Sequence, residues 1–118
     1  MFWAGGGHPP SVLLLPGEPN PVRLPSAGLI MGVLPGVNFP AQSCRIPSGA
    51  RLLIFSDGVF EIFHEGRAVW DLDACVAHLA SMAELQGSLM DELLVHVHHL
   101  RGSPRLDDDF SIIEARFH

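Results

Sequence analysis

Proline and glycine set the first limit on what this chain can fold into. It holds 10 prolines and 12 glycines, and most of them stand before residue 50. Proline removes a helix donor and clashes with the preceding turn, and glycine costs backbone entropy, so a long helix is excluded there. Short apolar runs between turn signals read instead as strands, at 11–15, 21–24, 29–34, 42–46 and 51–56. Pro16 to Pro21 supplies a hairpin connection, and Pro47-Ser48-Gly49 a tight turn. The unbroken Leu52-Leu53-Ile54-Phe55 predicts a strand buried on both faces. The apolar opening Phe2-Trp3-Ala4 predicts that the chain starts inside a strand, as a piece of a longer protein would.

The period changes after residue 70. Leu72, Val76, Leu79, Ala80 and Ala83 fall at helical spacing, with Asp71 or Asp73 available as the cap. Gly87 breaks that helix. Ser88 to Asp91 resembles a capping box, and Leu89, Leu93, Leu94, Val97 and Leu100 form one apolar stripe. Gly102-Ser103-Pro104 ends the second helix, and a last strand runs over 110–117. Five strands, two helices and one strand predict an α+β fold, one small domain over residues 1–118 with both helices on one face of a mainly antiparallel sheet.

Charge narrows the function classes. The net charge is −6, and all seven basic residues are arginine. No basic stripe exists to follow a phosphate backbone, so nucleic acid is not an expected partner. No apolar run reaches the ~18 residues of a membrane span. The N-terminus lacks the basic lead of a secretion signal. Cys44 and Cys75 are isolated, which reads as two reduced thiols in a cytoplasmic protein. Cys44 and Arg51 are spaced one residue too far apart for a cysteine-phosphatase loop. His96 and His99 share a helix face and His98 does not, so the three read as a solvated edge rather than a zinc site. His8, before two prolines, reads as a hydrogen-bonder that ties its loop to nearby backbone.

Two acidic turns carry the chemistry. Ser56-Asp57-Gly58 closes the strand over 51–56, and Asp107-Asp108-Asp109 opens the last strand. An Asp at a strand exit, followed by Gly, sets a carboxylate at the core's edge where the backbone turns sharply. A second carboxylate at the mouth of another strand can face it, and together they could hold a hard divalent cation. Each turn also has a plainer reading, as a capped turn and as a solvated acidic loop.

The residues Gly7-His8-Pro9-Pro10, Gly32-Val33-Leu34-Pro35, Phe55-Ser56-Asp57-Gly58-Val59-Phe60-Glu61 and Asp108-Asp109-Phe110-Ser111 occur in one order. In this the chain resembles the C-terminal half of the PP2C-like (PPM) serine/threonine phosphatases of the sporulation stage II E and sigma-factor-regulator type. The resemblance implies half of a β-sandwich flanked by helices. It implies Mg²⁺ or Mn²⁺ held by Asp57 and Asp108, in a site that is dinuclear in the family, with Glu61, Gly58 and Asp109 next outward. It implies hydrolysis of phosphoserine or phosphothreonine in a regulatory partner of the anti-sigma-antagonist kind.

Departures qualify the resemblance. The family's Asp-x-x-Gly-His-Gly motif is absent, Phe60 stands where Thr is usual, and Ser111 replaces Thr. The expectation is that this chain alone binds metal weakly and hydrolyses little. The alternative is a degenerate PP2C-like adaptor or protein-binding module of a bacterial response regulator. An apolar surface left open where the other half would pack would also favour a homodimer.

Overall fold

A computed structural model describes residues 1–26, 28–84, 87–106 and 108–118. These form eight short strands and two helices. The centre is a four-stranded antiparallel sheet made from β2 (Ser11–Leu14), β3 (Val22–Leu24), β5 (Arg51–Phe55) and β8 (Ile112–Arg116), in the order β3-β2-β5-β8. The other strands are β1 (Phe2–Trp3), paired with β4 (Gln42–Ser43), and the hairpin β6 (Ile62–His64) with β7 (Arg67–Trp70). The helices are α1 (Leu72–Ser81) and α2 (Leu89–Arg101). The α+β expectation holds, with both helices on one face of the central sheet.

Alternation explains which face they cover. Val12, Leu14, Leu53 and Phe55 point one way and pack with Cys75, Val76, Leu79, Leu89 and Leu93. Leu13, Leu24 and Ala50 point the other way, towards Met1, Trp3, Cys44 and Ile46. Burial on both faces of β5 is therefore only partial. Leu53 and Phe55 are buried, but Ile54 is 36% exposed, because the β1–β4 ribbon covers just one end of the second face.

An ion cluster on the helix side follows from register. Arg51 pairs with Arg116 across β5 and β8, and Leu53 with Glu114, so both guanidiniums and the carboxylate share a face. Arg51 Nε donates to Glu114 Oε1 at 2.6 Å, and Arg116 Nε donates to the same oxygen at 2.8 Å. Glu114 thus relieves two like charges set directly opposite each other.

Local caps behave as the sequence predicts. Asp71 accepts from the Ala74 amide at 2.8 Å and Ser88 from the Asp91 amide at 3.2 Å. Gly102 is left-handed at the end of α2. Helix α1 ends at Ser81, short of Ala83.

Two expectations need correction. Residues 29–34 form turns and bends rather than a strand, and Ile30, Met31 and Val33 are largely exposed. Glycines 28, 32 and 36 all take positive φ, which breaks any extended run. The hairpin of β6 and β7 lies where no strand is predicted. Glu65 and Gly66 both take positive φ, the twist a two-residue hairpin needs.

Candidate functional site

Strand β5 delivers its chain into a short 3₁₀ turn, Asp57–Val59. The turn closes on itself, with the Phe60 and Glu61 amides donating to the Asp57 carbonyl at 2.9 and 2.8 Å. Gly58, Val59 and Phe60 are buried and anchor it, Phe60 lying edge-on to Phe55. Asp57 itself is exposed, and its Oδ1 accepts from the Gly58 amide at 3.0 Å. Glu61 is also exposed.

Asp108 and Asp109 lie in the loop that enters β8, both exposed. Asp108 Oδ1 accepts from the Asp109 amide at 2.7 Å. Asp107 lies outside the described residues.

The antiparallel pairing of β5 with β8 brings these turns to the same end of the sheet, since Phe55 sits opposite Ile112. The Ser56 amide donates to the Ser111 carbonyl at 2.9 Å. The Ser56 hydroxyl donates to the Asp109 carbonyl at 2.7 Å and accepts from the Ser111 amide at 3.0 Å. A Cβ on Gly58 would overlap the Asp109 carbonyl oxygen and sit 3.4 Å from the Asp108 carbonyl carbon. Glycine is required there by close approach of two backbones, not by its own φ. The backbones carrying Asp57 and Asp108 are thus in direct contact.

Asp57 borders an open depression of about 330 Å³, walled by Gly6, Gly7, His8, Pro9, Ile30 and Ser56. It is the only carboxylate among the described residues that line it. His8 Nδ1 donates to the Pro9 carbonyl at 2.9 Å, and its amide donates to Ser26 Oγ at 3.1 Å, the loop-tying role expected of it. An apolar cavity of about 250 Å³ under the β1–β4 ribbon reaches neither acidic turn.

The helix histidines sit elsewhere. His78 of α1 and His96 of α2 stack with ring centroids 3.9 Å apart and an interplanar angle of 17°, beside Trp70. Burial lowers both pKa values below the ordinary imidazole range, His96 adding to the effect on His78 and His99 to that on His96. Parallel rings do not converge their lone pairs on one ion. Burial pushes the Cys75 thiol up to about 12, with Trp70 opposing it, so Cys75 is an inert core residue.

Sequence reasoning singled out the carboxylates but not the Ser56 hydroxyl that bridges their turns. A serine before Asp-Gly gives no signal of a partner fifty residues away.

The helix-backed antiparallel sheet with two acidic turns at one end matches part of a PP2C-type domain. Residues 1–118 match the family described as Stage II sporulation protein E (SpoIIE), and the chain belongs to that family. The fold is similar to the PP2C phosphatase domain of the cell fate determinant SpoIIE from Bacillus subtilis, solved with a fragment of its regulatory domain. The TM-score is 0.75 at 21% identity, over 98% of this chain and 32% of that one. It is also similar to the RsbU and RsbW domains of Rv1364c from Mycobacterium tuberculosis. There the TM-score is 0.68 at 22% identity, over 96% of this chain and 31% of that one. The chain therefore spans about a third of the length of these structures. No curated protein matches it. No helix among the described residues is long and apolar enough to cross a membrane.

Proposed function

We propose that this chain supplies part of the active site of a metal-dependent phosphatase, acting on phosphoserine or phosphothreonine in a regulatory protein partner. One observation carries the reading. Gly58 lets the Asp57 turn pack against the backbone of Asp108 and Asp109, so two separated carboxylates share one end of the sheet.

The donor set fits a hard divalent cation in kind and falls short in number. Asp57 and Asp108 offer carboxylate oxygens, the ligands that Mg²⁺ and Mn²⁺ prefer. Among the described residues no group of three or more His, Cys, Asp or Glu side chains is poised to hold a metal. Asp57 and Asp108 would be the ligands, and Glu61 and Asp109, near them in sequence, would hydrogen-bond water around the cation. When bound, such ions supply an activated water and a clamp on the phosphoryl oxygens. This chain's own contribution is to hold the two turns that carry the carboxylates side by side at an exposed rim. The Ile30 side of the depression offers an apolar wall to the polypeptide that carries the phosphate.

The incomplete ligand set favours a second reading, a PP2C-like module that binds a partner without hydrolysis. The open apolar surface at Ile54 and Ile113 supports pairing of two copies through that face. Hydrolysis of a phosphoserine peptide with excess Mn²⁺ separates the readings. The chain alone should turn over slowly, and a longer protein that supplies the missing carboxylate should turn over fast and lose activity with Asp57→Asn. A longer protein that binds the phosphorylated partner yet never hydrolyses it would establish the adaptor instead.

A further inference from the structure

We propose that Ser56 is a positioning residue that sets the spacing between Asp57 and Asp108. The inference rests on the reading of those two as cation ligands. The ladder between β5 and β8 ends at Phe55 opposite Ile112. One step further, the Ser56 amide still donates to the Ser111 carbonyl at 2.9 Å. Beyond that the two chains turn away, and the Ser56 side chain takes over from the ladder. Its hydroxyl accepts from the Ser111 amide at 3.0 Å and donates to the Asp109 carbonyl at 2.7 Å.

The placement matters more than the bond count. Ser56 is the residue before Asp57, and Asp109 is the residue after Asp108. The hydroxyl therefore joins the backbone one residue from each candidate ligand. Both bonds meet at one atom that donates and accepts at once, which suits a small hydroxyl best. Ser56 is half-buried, and both of its hydroxyl bonds lie at the exposed rim beside the acidic turns. Gly58 completes the lock by leaving room for the Asp109 carbonyl, where any Cβ would overlap it. Asp57 and Asp108 are themselves exposed, and each uses one oxygen on the amide that follows it. Nothing in those local bonds relates one carboxylate to the other. That relation comes from the bridge at Ser56.

Nuclear magnetic resonance of the whole chain with added Mn²⁺ tests this without any turnover. The paramagnetic ion broadens amides near it, so residues 57–58 and 108–109 are read separately in the same titration. In the wild type both turns should broaden together over one range of Mn²⁺. Ser56→Ala should need about tenfold more Mn²⁺, the scale of one net hydrogen bond, and its two turns should respond at different concentrations. Ser56→Thr keeps the hydroxyl and should restore the joint response. If the alanine variant does not fold, Ser56→Cys, with a weaker donor of similar volume, should give an intermediate shift. Wild-type Mn²⁺ response in Ser56→Ala, even with a lowered Tm, would overturn the positioning role and leave only a structural one. Absence of broadening at both turns in the wild type would overturn the cation reading itself, and the positioning role with it.

Discussion

The two faces of the central sheet use the same strands and are covered unequally. On the helix side, Val12, Leu53 and Phe55 are at most 2% exposed, sealed by α1 and α2. On the other side, Leu13 is sealed by the β1–β4 ribbon, but Ile54 is 36% and Ile113 64% exposed. The bare end of that second face is the end that carries Ser56 and Ser111. Stability is concentrated on one face, and the candidate site sits at the least covered corner of the sheet. Exposed carboxylates and an accessible rim suit the proposed role of admitting a protein-borne phosphate.

The largest test of that contrast is truncation on each face. Phe55→Ala should cost about 3–5 kcal/mol in urea unfolding, because the ring is fully enclosed and packs on Phe60. Ile113→Ala should cost less than about 1 kcal/mol. Comparable losses at both positions would mean that the second face is as well covered as the first.

Acid should sharpen the same contrast, since the titrating groups lie on the helix side. His78 and His96 have pKa values lowered mainly by burial, so the unfolded chain takes up their protons first. Their contribution is complete above about pH 6.5 and is lost as pH falls through the depressed folded values. His99 and Glu92 line the same groove, and the positive form of His99 reinforces the effect on His96. Glu114 adds a second, lower step. Burial raises its pKa, but hydrogen bonds and charge from Arg116 and Arg51 outweigh this and hold it below the ordinary value. Its contribution is therefore kept above about pH 4.3 and lost below. Unfolding free energy followed from pH 8 downward should show both steps. A His78→Phe, His96→Phe double variant should lose the upper step alone. A pH-independent profile between 7 and 5 in the wild type would contradict the lowered pKa values of this half-buried stack.

What the sequence revealed and what it hid have physical causes. Asp71, Ser88 and Gly102 act within a few residues of themselves, so their caps are legible in order alone. The run through β5 shows a buried strand, but not that one face would stay partly open, because that depends on which segments cover it. Residues 29–34 are apolar enough to pass for a strand, yet glycines on either side turn them out. The β6–β7 hairpin is masked by His64, Glu65 and Arg67, and by a Glu-Gly turn in place of the usual Asn-Gly. Asp57 and Asp108 are visible as candidates from their neighbours. Their shared location follows from antiparallel register, and the Ser56 bridge only from the folded chain.

The central claim is that the two acidic turns act as one cation site. A double-mutant cycle on Mn²⁺ affinity, measured by calorimetry with Asp57→Asn, Asp108→Asn and the pair, tests it most directly. If one ion touches both carboxylates, each single change should remove most of the binding, and the double should lose little more. Losses that simply add, or single variants that bind as the wild type does, would show two unrelated acidic turns and no shared site.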